Sequence, residues 1–320
     1  MLIINRTLII TLLIVFVGCV KQNSIIEISD KDIKYFDAII ARSGEEVRFF
    51  PSYDKVQLAC TIIHTKELQK GVVLFIHGIG ARSNLYLPLA DEIAKHGYKI
   101  YLLDIRGHGY SKGLSGHMPF KDTMAKDIKY FYEYVLSMEG ENQNYIAMGH
   151  SLGTYIWMNT LDNYADIHID AFVFISGGSI HTLNSIKSAS NGKQHFSYVN
   201  KWKLFLSIFN QNIKPIHLIF PDVPQIEYSG LVQDYSFSFF SMFEDYENRF
   251  TSFYEDLDIP ILMISGDKDE LFEVQKLEDA YSMIHTKNKK LVILENETHT
   301  SIIWASGVPI NNWLIQQKNN

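Results

Sequence analysis

The stretch Gly149-His-Ser-Leu-Gly153 places a serine between two glycines, directly after an apolar run. A strand that turns sharply into a helix forces its central residue into strained backbone geometry, and bulky residues at Gly149 and Gly153 would collide with that turn. The bend raises the Ser151 hydroxyl above the sheet, at a helix N-terminus whose N–H groups favour developing negative charge. Because the motif lies between a predicted strand and a predicted helix, it predicts a nucleophilic serine.

A serine hydroxyl is a weak nucleophile at neutral pH, so Ser151 needs a general base and a carboxylate that orients the base. In this architecture the acid and the histidine follow the serine, on loops after later strands. Asp267 and Asp269 follow the predicted strand "IPILMIS", and His299 follows "KKLVILE". Both loops lie at the carboxyl ends of strands, where open α/β sheets place their sites. The spacing leaves both aspartates open as the acid, and it favours His299 as the base over His285, which ends a predicted helix.

Acyl transfer also requires two hydrogen-bond donors for the oxyanion that forms on the substrate. The backbone N–H of Leu152 is the first candidate, because it follows the serine at the helix start. The motif "FIHGIGARSNLY" follows the third predicted strand and offers the N–H of Ile79 as the second. His77 stands directly before this turn, and we interpret it as a residue that holds the loop rather than as the base.

The polar motifs allow two other kinds of site. The turn "DIRGHG" contains Arg106 and His108 and could be read as a phosphate site, but a tight hydrogen-bonded turn explains its glycines without a ligand. The twelve histidines show no metal-ligand spacing, and the chain carries no glycine-rich nucleotide fingerprint. The sequence therefore predicts neither a metal nor a cofactor.

The elements that position these residues follow an alternating pattern. The runs "VRFFPS" and "VQLACTIIHT" flank "YDK" and predict a β-hairpin. Six further strands are predicted at "GVVLFIHG", "YKIYLLDI", "NYIAMGH", "IDAFVFIS", "IPILMIS" and "KKLVILE". Helices are predicted over 84–96, 119–138, 152–164 and 274–285, with Pro119 in the first turn of the second. The predicted fold class is α/β, with a doubly wound, mostly parallel, eight-stranded sheet.

Residues 177–255 interrupt this pattern. They contain no clear parallel strand and are rich in phenylalanine, tyrosine and tryptophan. We expect an inserted helical subdomain whose aromatic side chains form a core of their own, line an apolar pocket, or do both.

Length and charge limit the class of protein further. A chain of 320 residues, 47% hydrophobic and 20% charged, suits one large α/β domain with an insertion or two small domains. The net charge of −7 argues against a nucleic-acid partner, which would usually require a basic face.

The N-terminus differs from the rest of the chain. Arg6 is followed by an apolar run over 8–17 and then by Gly18-Cys19. Ten helical residues span about 15 Å, half of the ~30 Å hydrocarbon core of a bilayer, which is typical of a signal-peptide core. A small residue followed by cysteine resembles the bacterial lipoprotein cleavage box, in which Cys19 would become the lipid-bearing N-terminus. An ordinary secretory signal and an N-terminal anchor helix are the alternatives.

The lipoprotein hypothesis divides the N-terminal region into two segments. Residues 1–18 are the predicted signal peptide, and 19–44 the predicted tether and N-terminal helix of a membrane-anchored, extracytoplasmic protein. Lipidation of Cys19 would leave Cys60 as the one free cysteine, so no intrachain disulfide is expected. Cys60 alternates with Leu58 and Ile62 in a strand-like run, and we interpret it as a core residue.

Together these motifs resemble the α/β-hydrolase fold and, more narrowly, the monoacylglycerol lipase, lysophospholipase and serine aminopeptidase-like group. The resemblance runs from about Val47 to the C-terminus and rests on "HGIGARSNLY", "LDIRGHGYSKG", "GHSLG" and "GDKDELF". It implies that Asp269, three residues after the glycine of the last motif, is the acid. It also implies that 45–176 and 256–320 form the hydrolase core and that 177–255 is a lid inserted after the sixth strand.

The motifs and the resemblance predict a serine hydrolase that cleaves carboxylic esters. Ser151 would attack the acyl carbon, His299 would move the proton, Asp269 would orient His299, and the N–H groups of Ile79 and Leu152 would hold the oxyanion. An aromatic lid and a membrane tether favour a fatty-acyl ester such as a monoacylglycerol or a lysophospholipid. The alternatives are a non-lipid carboxylesterase, an aminopeptidase-like hydrolase, and a binding lipoprotein without catalysis.

Overall fold

A computed structural model describes residues 45–179, 197–219, 230–243 and 246–317. Cys19, the predicted signal peptide and the predicted N-terminal helix lie outside the described residues. The described chain forms the strands β1 (Glu46–Pro51), β2 (Gln57–Ile63), β3 (Gly71–Ile76), β4 (Tyr98–Asp104), β5 (Tyr145–His150), β6 (Ala171–Ile175), β7 (Ser197–Val199), β8 (Ile216–Leu218), β9 (Asp234–Tyr235), β10 (Ile261–Gly266) and β11 (Lys289–Leu294).

Eight of these strands form one sheet in the order β1-β2-β4-β3-β5-β6-β10-β11. The strands from β4 to β11 pair in parallel, whereas β1 and β2 are antiparallel to their neighbours. The predicted hairpin therefore forms, and the Ser52 N–H donates to the Val56 carbonyl at 2.9 Å to close its turn. The predicted fold class, with its mostly parallel eight-stranded sheet, is confirmed.

Helices cover both faces of the sheet. They are α1 (Leu87–Ala94), α2 (Thr123–Glu139), α3 (Leu152–Asn163), α4 (Lys201–Ser207), α5 (Tyr246–Asp256), α6 (Val274–Met283), α7 (Ile302–Ala305) and α8 (Gly307–Gln317). Side chains alternate across a strand, so β3 sends Leu74 into one buried cluster with α2 and α3, and Phe75 into another with α1 and α8. The sequences of these strands are continuous apolar runs because both faces of each strand are buried.

Two predicted helix boundaries are wrong. The helix predicted from Pro119 begins at Thr123, because the Phe120 N–H donates to the Thr123 hydroxyl at 3.1 Å and forms a turn first. The helix predicted over 84–96 begins as a 3-10 turn at Ser83–Tyr86, and α1 follows it with a proline in its first turn. At the first of these sites a local side-chain hydrogen bond competes with helix formation.

The segment expected to be a helical lid also contains a small antiparallel sheet, β7-β8-β9. Its strands are only three, three and two residues long, so they show too few alternations for a sequence pattern to reveal. The described part of the segment further holds α4, α5 and a 3-10 helix at Phe237–Phe243.

Cys60 is a core residue, as its sequence pattern predicts. It lies fully buried in β2, where burial raises the pKa of its thiol to about 12.

Among the helices of the described residues, none combines the length and the apolarity that spanning a bilayer requires.

Candidate active site

Ser151 occupies the turn between β5 and α3. Its backbone has φ 51° and ψ −119°, a left-handed value of φ that costs energy for any residue with a side chain. The Ser151 N–H donates to the Ile175 carbonyl at 2.9 Å, and the Thr154 hydroxyl donates to the Gly149 carbonyl at 2.9 Å. These contacts hold the strained residue between a strand end and a helix start, as the motif predicts.

The two glycines of the motif allow close packing of the backbone. A Cβ atom at Gly149 would collide with the backbone of Gly153 and Thr154, and one at Gly153 would collide with the Ile76 carbonyl of β3. The spacing Gly-x-Ser-x-Gly is therefore required by the way α3 begins directly against the sheet.

Asp269 and His299 are hydrogen-bonded at the carboxyl ends of β10 and β11. The His299 Nδ1 lies 2.9 Å from one Asp269 oxygen, and the N–H groups of Leu271 and Phe272 donate to the other, each at 2.9 Å. Asp269 is fully buried, which by itself would raise its pKa, but His299 and the two N–H groups hold that pKa below its usual range. The carboxylate is therefore ionised and directed at the imidazole.

The alternative acid and base lie elsewhere. Asp267 accepts a hydrogen bond from the Asn296 N–H at 2.6 Å and pairs with Lys268 at 3.3 Å. His285 is exposed, just beyond the end of α6. The structure therefore brings Asp269 to His299 and leaves Asp267 and His285 outside this cluster.

The backbone of His299 is held at both its polar groups. Its N–H donates to the Glu270 carboxylate at 3.0 Å, and its carbonyl accepts from His150 Nε2 at 3.0 Å. The rings of His150 and His299 lie 4.9 Å apart. Because His150 directly precedes Ser151, these contacts place His299 beside the strand end that carries the serine.

A chain of hydrogen bonds extends from His150 to the loop after β3. Burial and the nearby His299 lower the pKa of His150 to about 3, so its ring is neutral at neutral pH. Since its Nε2 donates to a carbonyl, its Nδ1 accepts from the Tyr86 hydroxyl at 2.9 Å. The Tyr86 oxygen in turn accepts from the Gly78 N–H at 3.0 Å. This chain links the loop after β3, the serine turn and the histidine loop.

Leu152 directly follows Ser151, and the loop that carries Ile79 approaches Ser151 at Gly78. Leu152 is the first residue of α3, so its N–H has no acceptor one turn back along the chain. Ile79 follows Gly78, whose backbone lies so close that an added Cβ would meet the Ser151 Cβ at 3.3 Å. The buried His77 ring donates to the Gly78 carbonyl at 2.7 Å and accepts from the Ile105 N–H at 3.1 Å, so it holds this loop.

The turn that could be read as a phosphate site is occupied by its own contacts. The Arg106 guanidinium pairs with Asp127 at 2.7 Å and with Asp54 at 2.8 Å. His108 faces the carbonyl of Arg106 at 3.0 Å. Over the described residues, no group of histidine, cysteine and acidic side chains has the arrangement of a metal site.

A family model described as serine aminopeptidase, S33, matches residues 67–303. That range includes the serine turn, the Asp269–His299 pair and the loop after β3. The chain belongs to the serine aminopeptidase S33 family. Its fold makes it an α/β-hydrolase.

Individual relatives of this S33 member match over shorter stretches. An uncharacterized abhydrolase domain-containing protein from Dictyostelium discoideum is 32% identical over 100 residues, 31% of this chain and 10% of that protein. Protein phosphatase methylesterase 1 from Candida albicans is 26% identical over 161 residues, 48% of this chain and 43% of that protein. The chain therefore matches less than half the length of these two curated relatives.

A solved structure is similar over nearly the whole fold. A soluble variant of monoglyceride lipase from Saccharomyces cerevisiae, in complex with a substrate analog, superposes with a TM-score of 0.70. The superposition covers 87% of this chain and 97% of that one at 16% identity, so it supports the fold alone.

Sequence reasoning assigned no role to three residues of the S33 site. Tyr86, His150 and Glu270 each bind the loop or the backbone that carries a predicted site residue. All three stand inside or beside the quoted motifs, which was the available signal. Their partners lie on other strands, so only the assembled sheet reveals the contacts.

Proposed function

We propose that the protein is a serine hydrolase that cleaves carboxylic esters through an acyl-enzyme. The observation that carries the proposal is the buried Asp269–His299 pair, which lies beside the strained turn of Ser151. A strained serine next to an oriented imidazole is the arrangement that acyl transfer requires.

The hydrogen bonds define the part each residue would play. Asp269 accepts from Nδ1–H of His299, which leaves Nε2 of that ring as the proton acceptor. As the Ser151 oxygen bonds to the acyl carbon, its proton passes to Nε2 and then to the departing alcohol. Water repeats the sequence on the acyl-enzyme and releases the acid. The N–H groups of Ile79 and Leu152 would stabilise the oxyanion in both steps.

An apolar acyl group is supported by the aromatic side chains near His299. The Phe272 ring lies 5.3 Å from the His299 ring and 6.3 Å from that of Tyr155, which in turn lies 6.2 Å from Phe243 of the lid. Phe272 and Phe243 are only partly buried. Such surfaces favour fatty-acyl esters, of which monoacylglycerol and lysophospholipid are the proposed examples.

The exposed side of the lid supports the proposal that the substrate lies in a lipid surface. Trp202 is 79% exposed, Phe205 53% and Phe209 76%, on and just after α4. Lys201 and Lys203 are also exposed on this helix. Contiguous exposed apolar residues mark interaction surfaces, and tryptophan and lysine suit the boundary between lipid and water.

A panel of p-nitrophenyl esters from acetate to palmitate tests the proposal. We expect kcat/KM to rise with acyl length by up to about fourfold per methylene, the equivalent of ~0.8 kcal/mol, until the apolar surface is filled. Phe243→Ala should reduce this dependence, whereas Phe49→Ala should not, because Phe49 is 52% exposed on β1.

Each alternative function predicts a different result with this panel. A maximum at acetate or butyrate would identify a non-lipid carboxylesterase. Faster cleavage of aminoacyl p-nitroanilides would identify an aminopeptidase. No hydrolysis of either substrate class would favour a binding lipoprotein.

We also propose that Cys19 carries the lipid of an extracytoplasmic, membrane-anchored protein. The support is the apolar run over 8–17 followed by Gly18-Cys19. The wild type should partition into the detergent-rich phase of a phase-separating detergent and incorporate labelled fatty acid, whereas Cys19→Ala should incorporate none. Partition of the wild type into the aqueous phase would contradict the anchor.

A further inference from the structure

The part of the lid that returns to the core binds the loop after β3. We call residues 230–243 the return segment. Its Val232 N–H donates to the Gly80 carbonyl at 2.9 Å, and its Ser236 N–H donates to the Gly116 carbonyl at 2.9 Å. The carbonyl of Asp234 packs so closely on Gly116 that an added Cβ there would collide with it. The return segment is thus fixed on two loops of the hydrolase core.

Tyr235 is the residue of this segment that lies deepest. It is fully buried, and its hydroxyl lies 2.8 Å from Nε2 of His108. Burial and the neighbouring His77 lower the pKa of His108 to about 3, so this ring is neutral. Since Nδ1 of His108 donates to the Arg106 carbonyl at 3.0 Å, its Nε2 accepts, and the Tyr235 hydroxyl is the donor. The His108 ring in turn contacts the His77 ring, and the two ring centroids lie 5.5 Å apart.

Two peptide groups of the loop are therefore held in place. The Gly78 carbonyl accepts from the His77 ring, which packs on the His108 ring that Tyr235 binds, and the Gly80 carbonyl accepts from Val232. A peptide group is planar, so holding the Gly78 carbonyl fixes the direction of the Ile79 N–H on the opposite side of the same plane. Rotation of the neighbouring peptide groups would turn this plane, and the return segment holds the Gly80 carbonyl through Val232.

We propose that Tyr235 is a positioning residue for the Ile79 N–H, so that the lid sets the geometry of the oxyanion donor as well as covering the site. This inference rests on the proposed serine hydrolase function. The Tyr235 hydroxyl acts through the rings of His108 and His77, and it touches no reacting atom. The lid therefore contributes to kcat and not only to substrate binding.

The test compares Tyr235→Phe with Tyr132→Phe in the full-length protein. Tyr132 is also buried, at 5% exposed, and its hydroxyl donates to the His168 carbonyl at 3.2 Å, far along α2 from the site. Both variants lose one buried hydroxyl, so thermal unfolding controls for a general loss of stability. The readouts are kcat and KM for a p-nitrophenyl ester, and the affinity for a trifluoromethyl ketone, whose adduct with serine carries an oxyanion.

For Tyr235→Phe we expect kcat to fall about tenfold with KM nearly unchanged, and the affinity for the ketone to fall by a similar factor. Tyr132→Phe should change neither. If Tyr235→Phe does not fold, His108→Gln serves as the second variant, because it moves the acceptor of the Tyr235 hydroxyl and should act in the same direction. Wild-type kcat and ketone affinity in the variant that folds would overturn the inference while leaving the hydrolase intact. A wild type without hydrolysis or ketone binding would overturn both.

Discussion

Ser151→Ala should lower kcat for ester hydrolysis on the order of 10⁵-fold and abolish labelling by a fluorophosphonate. The alanine removes the hydroxyl proposed as the nucleophile, so no covalent intermediate can then form. Loss of the nucleophilic serine in serine hydrolases has effects of at least this order. The residual rate would come from binding and the oxyanion donors. The measurement is initial-rate kinetics together with gel fluorescence of the labelled protein.

The matched control is Ser265→Ala. Ser265 is also buried, at 3% exposed, and its hydroxyl lies 3.3 Å from that of Ser176 at the end of β10. We expect this variant to label and to hydrolyse at a rate close to the wild type. Equal labelling of wild type and Ser151→Ala would contradict the assignment of the nucleophile.

Asp269→Asn is expected to give the second large loss, on the order of 10⁴-fold in kcat. The asparagine keeps the size of the side chain and one acceptor oxygen for the N–H groups of Leu271 and Phe272. Its NH₂ group would then face Nδ1 of His299 and favour the tautomer with the proton on Nε2. That nitrogen could no longer take a proton from Ser151. KM should change little, because the carboxylate is buried away from substrate.

Asp267→Asn is the control for this prediction, since the spacing alone left both aspartates open. Asp267 binds the Asn296 N–H and has no contact with His299 among the described hydrogen bonds. We expect less than a threefold change in kcat. Losses of similar size in the two variants, or a larger loss at Asp267, would mean that the acid is assigned to the wrong residue.

The sheet could be predicted because its strands are buried on both faces. Runs such as "GVVLFIHG" need no tertiary information to be recognised, and their order along the chain determined the α/β class. The start of α2 and the strands β7, β8 and β9 could not be predicted. The first depends on a hydroxyl contact between Thr123 and Phe120, and the others form only because three short segments meet in space.

Some features of the candidate site could likewise be predicted from the sequence, and others could not. Ser151 and His299 were predicted as site residues because each stands at a defined point after a strand. The choice between Asp267 and Asp269 required either a family resemblance or the structure, since both follow the same strand. The contacts of Tyr86, His150 and Tyr235 join segments that are far apart in sequence, and no local pattern records such pairs.

The hydrogen bonds from Gly78 through Tyr86 and His150 to the His299 carbonyl have a thermodynamic consequence. They form as the chain folds, so the entropy lost in ordering the three loops is already lost before any substrate arrives. A reacting ester then gives up only its own freedom of motion. The proposed site should therefore accept very small esters, slowly but measurably, even though they would touch few of the aromatic side chains of residues 177–255.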